Sequence, residues 1–249
     1  MPDDQLMHTT VDTLLGKRFE VEQPAEGYRI AVDTLLLAAA VPARGGERVL
    51  ELGCGVGGAM LALAARVPDV SITGIEIQTD MAALCANNIE RNGWADRLTV
   101  RVGDVALFEE RGAYDHVMIN PPYHDPKSHI LSPHQGKRIA NALGDEADLA
   151  LWIEKAAGAL TEDGMLTMIH RADKMEEIDA CLIDQGLSVE IKPIISKRSA
   201  PPKRVVVRGR KDAQRKETHV FAAFNLYGAD GKYSVEAQAL LREAASMDF

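Results

Sequence analysis

The stretch Arg48-Val49-Leu50-Glu51-Leu52-Gly53-Cys54-Gly55-Val56-Gly57-Gly58 constrains this chain more than any other. An apolar run enters a glycine-dense loop, and the pattern that follows, Ala59 to Arg66, is helical. Strand, tight turn, helix is the unit such a sequence builds. Two further apolar runs end on acids: Val70 to Ile75 is closed by Glu76, and Leu98 to Val102 is followed by Asp104. A fourth run, Tyr114 to Ile119, leads into Asn120-Pro121-Pro122-Tyr123. Ligands of open α/β sheets bind beyond the carboxyl ends of the strands, so these groups are expected along one edge.

Two ligand chemistries compete for the loop. Gly53, Gly55 and Gly58 fit a dinucleotide fingerprint, and Glu76 stands at about the spacing of a ribose-binding acid, which makes a nicotinamide dehydrogenase one reading. Glu51, two residues before Gly53, favours the other. A carboxylate there would repel a pyrophosphate but suits a cationic amino-acid moiety, and Asp104 can accept from an adenine amino group.

Asn120-Pro121-Pro122-Tyr123 indicates a reaction. The lone pair of a planar exocyclic amine is delocalised into its ring, and two acceptors aimed at its N–H bonds draw it back. Asn120 offers a side-chain oxygen and Pro121 a backbone carbonyl, while Pro122 contributes no N–H and stiffens the turn. Tyr123 supplies a face on which a base can stack. A strand followed by a rigid proline turn is the structural alternative for this segment.

The ordered set of acid, glycine loop, acid, acid and Asn-Pro-Pro-Tyr resembles the S-adenosylmethionine-dependent methyltransferases that carry this motif. More narrowly, the chain is similar to the bacterial tRNA (adenine-N6)-methyltransferases that modify valine tRNA beside the anticodon. The narrower likeness rests on Gln23-Pro24-Ala25-Glu26-Gly27-Tyr28-Arg29-Ile30-Ala31-Val32-Asp33-Thr34-Leu35-Leu36-Leu37-Ala38, ahead of the glycine loop. It spans about Leu15 to Arg210; the family commonly has Ala-His where this chain reads Ala140-Asn141.

The resemblance implies a Rossmann-like class I methyltransferase: an α/β fold with a mostly parallel seven-stranded sheet and an antiparallel edge hairpin. It implies S-adenosyl-L-methionine as cofactor and RNA, in the first place tRNA, as partner. The cofactor site is expected to comprise Glu51, Gly53, Cys54, Gly55, Gly57, Glu76, Ile77, Asp104 and Asn120, and the resemblance adds Tyr28, Arg29 and Asp33. The catalytic residues are expected to be Asn120, Pro121, Pro122 and Tyr123. Read from the residues alone, Val32 to Val41 is a packing helix with Asp33 as its first-turn acid.

Similar motifs serve protein-glutamine and ribosomal guanine-N2 methylation. Only about 45 residues precede the loop here, too few for the helical domain usual in the former, and Tyr123 replaces the phenylalanine usual in the latter. An RNA-binding protein that keeps the cofactor fold without turnover is the reading from another class.

With 249 residues, 46% hydrophobic, the chain can bury a substantial core as one domain: residues 1–45 as an extension over the cofactor site, 46–249 as the methyltransferase unit. No apolar run approaches a membrane span and the start lacks the basic region of a secretory signal, so a cytoplasmic location is expected. Cys54, Cys85 and Cys181 are too scattered for a disulfide framework or zinc site. His124, His129 and His134 cluster with Asp125 but match no metal-ligand spacing, so no metal is expected.

Net charge is −9, against a generic coating of nucleic acid. Yet nine basic residues between Lys197 and Lys216 face Asp212 as the sole acid. Lys197, Arg198, Lys203, Arg204 and Arg208 are therefore candidates for one RNA-binding ridge, with a solvated hairpin edge as the alternative.

Helices are further expected over Gln78 to Arg91, closed by Asn92-Gly93, over Glu146 to Leu160 and over Ala172 to Gln185. Strands are expected over Met165 to Ile169, Leu187 to Ile195, Val205 to Arg208 and Val220 to Leu226, with a terminal helix within Ser234 to Phe249.

Overall fold

The computed structural model describes residues 8–27, 29–122, 145–196, 200–211 and 217–249. A hairpin of β1 (Thr9–Leu14) and β2 (Phe19–Pro24) comes first, followed by helix α1 (Val32–Ala40). The alternating region then runs β3 (Arg48–Leu52), α2 (Gly58–Arg66), β4 (Ser71–Glu76), α3 (Thr79–Arg91), β5 (Leu98–Val102) and β6 (Tyr114–Ile119). It continues as α4 (Asp145–Ala159), β7 (Leu160–Arg171), α5 (Met175–Asp184), β8 (Leu187–Ile195) and β9 (Arg204–Lys211). Two short strands, β10 (Thr218–Val220) and β11 (Phe224–Asn225), and helix α6 (Val235–Arg242) complete the chain.

The sheet has the order β10-β8-β9-β7-β6-β3-β4-β5, with β11 also on β8. β5, β4, β3, β6 and β7 are parallel, and β9 runs antiparallel to both β7 and β8. The expected seven strands and hairpin are thus present, but β8 is not the edge, because β10 and β11 pair with its outer side. The single strand expected from Val220 to Leu226 is split. Ile191 accepts from Phe221 N at 2.8 Å and Ile195 from Leu226 N at 2.9 Å; between them lies Pro193, which has no N–H to give that side.

Helices cover both faces, which is why the central strands are apolar without alternation. Val49, Ile72, Met118, Ile169 and Val206 pack with α1, α2 and α6 on one face; Leu50, Leu52, Val117, Ile119, Met168 and Val205 pack with α4 and α5 on the other. Leu15, Phe19 and Val21 of the N-terminal hairpin join the first core. Asn88 of α3, with no exposed surface, fastens the hairpin: its Oδ1 accepts from Glu22 N at 2.7 Å and its Nδ2 donates to Glu22 O at 2.9 Å. The α3 helix ends as expected, Gly93 adopting a φ of 69° that suits glycine.

The last residues fold back over α1, where Met247 N donates to Ala39 O at 2.8 Å. Ser234 caps α6 by accepting from Ala237 N at 3.0 Å, so the terminal helix is shorter than the segment available for it.

Candidate active site

Parallel register brings the expected groups to one edge. Leu52 pairs with Ile75 and with Ile119, so Gly53, Glu76 and Asn120 leave three adjacent strands at one level. Glu76 pairs in turn with Val102, two residues before Asp104.

The loop turns tightly around the end of β4. Gly53 N and Cys54 N both donate to Ile75 O, at 2.8 and 3.0 Å. Gly53, Gly55 and Gly57 have φ of 72°, 56° and 89°, and a Cβ on Gly53 would lie 2.7 Å from the Trp152 ring. A Cβ on Gly55 would meet no atom within 4 Å, so the loop is open there for close approach of a ligand.

Glu51 and Glu76 are both buried. Glu51 Oε2 accepts from Met60 N at 3.0 Å, in the first turn of α2. Burial pushes its carboxyl well above the usual range; the Met60 amide opposes this, and the charge of Glu76 adds to it. Glu76 Oε2 accepts from Gly55 N at 2.9 Å and Oε1 from Gln78 N at 2.8 Å, which holds the carboxylate in one orientation. Each oxygen retains a second lone-pair direction for a ligand hydroxyl. Asp104 Oδ1 caps a single 3-10 turn, accepting from Ala106 N at 2.9 Å, so the capping role and a position at the edge coexist.

Ile77 is 43% exposed beside these acids, an apolar contact for a flat ring. The set fits S-adenosylmethionine: open backbone at Gly55, buried carboxylates for an ammonium group and a ribose diol, and an apolar face for adenine. A pyrophosphate would meet the same carboxylates and be repelled. The Cys54 thiol is held well above its usual pKa by the neighbouring Cys85 and by burial, which keeps it a packing group.

Asn120 is half-buried, Pro121 buried and Pro122 exposed, so the described part of the motif turns outward from the end of β6. Tyr123 and Tyr28 lie outside the described residues, as do Lys197, Arg198, Ala140-Asn141 and the cluster of His124, Asp125, His129 and His134. Among the described residues no group of histidine, cysteine or acid side chains is arranged to hold a metal, and no helix is long and apolar enough to cross a membrane.

Arg29 serves the hairpin. It pairs with Asp12 at 2.6 Å and donates to Pro24 O at 2.8 Å and Thr10 Oγ1 at 2.9 Å. Asp33 does reach the edge: its Oδ2 receives Arg204 Nε at 2.7 Å, joining the start of α1 to the start of β9. The single basic ridge requires correction. Lys203 and Arg204 stand at the carboxyl edge, but Arg208 lies under α1, where its guanidinium donates to Ala40 O at 2.6 and 2.9 Å and to Met247 O at 3.2 Å. It also covers the Phe249 ring at 3.8 Å, and burial lowers its pKa. Lys211, at the opposite edge, donates to Leu160 O at 2.9 Å.

Two groups escaped sequence reasoning. Asn88 also donates to Val56 O at 3.0 Å, bracing the glycine loop; a polar residue on the apolar face of α3 was the available signal. Arg171, which ends β7, pairs with Arg204, and a basic residue closing an apolar strand could have marked it.

The methyltransferase small domain family model matches residues 28–182. A relative from Yersinia enterocolitica named tRNA1(Val) (adenine(37)-N6)-methyltransferase is 29% identical over 91% of this chain and 90% of its own length. One of the same name from Yersinia pestis (strain Pestoides F) is 31% identical over 75% of each chain. Among solved structures, an Agrobacterium tumefaciens protein titled a "predicted O-methyltransferase" superposes with a TM-score of 0.71 at 21% identity, covering 86% of this chain and 98% of that one, a likeness of fold. The nicotinamide reading falls with these matches. The chain, with an acid-lined glycine loop one strand from its Asn-Pro-Pro turn, belongs to the methyltransferase small domain family.

Proposed function

We propose that this S-adenosylmethionine-dependent methyltransferase acts in the cytoplasm on N6 of an adenine in tRNA. The observation that carries the reading is the Leu52–Ile119 pairing. It makes the cofactor loop and Asn120 neighbours on adjacent strands, whose axes are about 5 Å apart. The names of the two Yersinia relatives support the substrate class.

A target adenine is unstacked from the RNA and enters beside Asn120. The Asn120 side-chain oxygen and the Pro121 carbonyl accept its two amino protons and turn the nitrogen lone pair out of conjugation. Tyr123 stacks on the base. When bound, S-adenosylmethionine supplies the electrophilic methyl group. Glu51 and Glu76 fix its amino-acid and ribose ends, and Asp104 its adenine. Positioning and electrostatics carry the rate. Asn120 is neutral and is no general base, so the proton of the product ammonium passes to solvent.

Labelled methyl transfer to undermodified total tRNA, with nucleoside analysis, tests this directly. N6-methyladenosine formed by wild type and absent with Asn120→Ala is expected. Labelling of a protein or ribosomal RNA fraction instead would keep the chemistry and overturn the substrate.

A further inference from the structure

The glycines of the cofactor loop, Gly55 excepted, are seats for larger side chains. A Cβ on Gly57 would lie 2.8 Å from Cys85 Sγ and one on Gly58 2.7 Å from Ile30 Cδ1, whereas one on Gly55 would meet open space. Gly53 seats the Trp152 ring: its Cβ would lie 2.7 Å from Cη2, 3.2 Å from Cζ3 and 3.9 Å from Cζ2. These atoms are the outer rim of the six-membered ring of the indole. Gly53 N also donates to Ile75 O at 2.8 Å, so the residue is held between the end of β4 and the ring.

Trp152 comes from α4, the helix over the strand that leads to Asn120. Leu149, Ile153 and Ala156, spaced as one helical face, are buried with Val117 and Ile119 of β6 and with Leu166 and Met168 of β7. Trp152 flanks that stripe, half-buried, and its ring crosses to the end of β3. Because Leu52 pairs with Ile119, Gly53 and Asn120 stand side by side on adjacent strands about 5 Å apart. The ring therefore carries the packing of α4 on β6 across to the cofactor loop, one strand away. Misplacement by about 1 Å can cost about 100-fold in rate, so whatever fixes Gly53 against β6 bears on transfer more than on binding.

We infer that Trp152 is a positioning residue for methyl transfer: the rim of its indole holds Gly53 and so sets the spacing between the cofactor loop and Asn120. The assignment deepens the proposed function and rests on it for the role of Asn120. Trp152 acts through Gly53, without contact to the reacting atoms. The large ring and the absent Cβ form one fitted pair. A phenyl ring in its place keeps an aromatic group in the core but ends short of the Cη2 position, and so releases Gly53.

Trp152→Phe tests this by single-turnover methyl transfer to tRNA at saturating cofactor, alongside calorimetric affinity for S-adenosylhomocysteine. The transfer rate should fall by about 10- to 100-fold while that affinity changes by about threefold or less. Ile183→Ala is the control for lost packing. It trims a partly buried side chain of the same core at the end of α5, away from the loop, and should lower the thermal midpoint at least as far with the transfer rate unchanged. Gly53→Ala adds a test in binding alone. Its Cβ strikes the indole but not the shorter ring, so its cost in S-adenosylhomocysteine affinity should be about tenfold smaller in Trp152→Phe than in wild type, as residues in contact couple. A wild-type transfer rate in Trp152→Phe, an equal slowing in Ile183→Ala, or additive losses in the double variant would overturn the assignment. A wild-type protein that methylates no tRNA would refute the adenine reading, and the binding cycle would then decide the role of Trp152 by itself.

Discussion

Asn88 Nδ2 donates to the Val56 carbonyl at 3.0 Å, tying the glycine loop to the last turn of α3. The same amide holds both backbone groups of Glu22, so one fully buried side chain joins the N-terminal hairpin, a helix and the cofactor loop.

Asn88→Ala leaves three backbone groups without their partner. One to three kcal/mol is typical for each buried group left unsatisfied, and with water entering beside the hairpin a net loss of about 3 kcal/mol is expected. For a chain of this size that lowers the thermal midpoint by roughly 6 to 12 °C. S-adenosylhomocysteine affinity should fall as well, because Val56 is released; calorimetry on the folded variant reads this, and an unchanged midpoint would contradict the bracing role.

Gly53→Ala and Gly55→Ala should part company. Both require positive φ, at about 1–2 kcal/mol for an L-residue, but a Gly53 Cβ also strikes Trp152 at 2.7 Å whereas a Gly55 Cβ meets open space. Gly53→Ala is expected to lose both stability and cofactor binding. Gly55→Ala should melt within a few degrees of wild type yet bind S-adenosylhomocysteine at least tenfold more weakly, its methyl group occupying ligand space.

Glu51→Gln separates charge from shape, since a glutamine oxygen still accepts from Met60 N. The folded-state pKa of Glu51 is raised, so the folded protein binds the extra proton between the ordinary glutamate value and the raised one. Stability from this group is present at low pH and declines as pH rises through that window. The variant should therefore be at least as stable as wild type at neutral pH, while losing about 10–100-fold in S-adenosylmethionine affinity with the ion pair to the ammonium group. Undiminished affinity would remove Glu51 from the site.

His170, buried on β7, has the opposite sign. Burial lowers its pKa to about 4, with the Arg171 backbone and the charge of Glu177 opposing. The unfolded chain, near 6.5, takes up the proton first, so acidification from pH 6.5 to 4 should cost about 3 kcal/mol from this group. His170→Phe is expected to flatten that part of a plot of thermal midpoint against pH. An equally steep fall in the variant would place the acid sensitivity elsewhere.

The parallel core and the edge on which the chemistry gathers are legible along the chain alone. Glycines at Gly53, Gly55 and Gly57 meet backbone angles that other residues resist, buried runs such as Tyr114 to Ile119 make strands, and Asn92-Gly93 stops a helix; each is a local property of the chain. Only the packing of distant segments sets which charges are drawn beneath other elements. Arg204 and Arg208 are alike in sequence and four residues apart on one strand, but the second is covered by α1 and the C-terminal residues. Arg29 is likewise drawn to Asp12 once β1 pairs with β2. Charge counts record no such covering, because what lies over a strand or beside a loop comes from segments distant in sequence. That same distance, 171 residues between Asp33 and Arg204, hides the ion pair that joins the start of α1 to the start of β9.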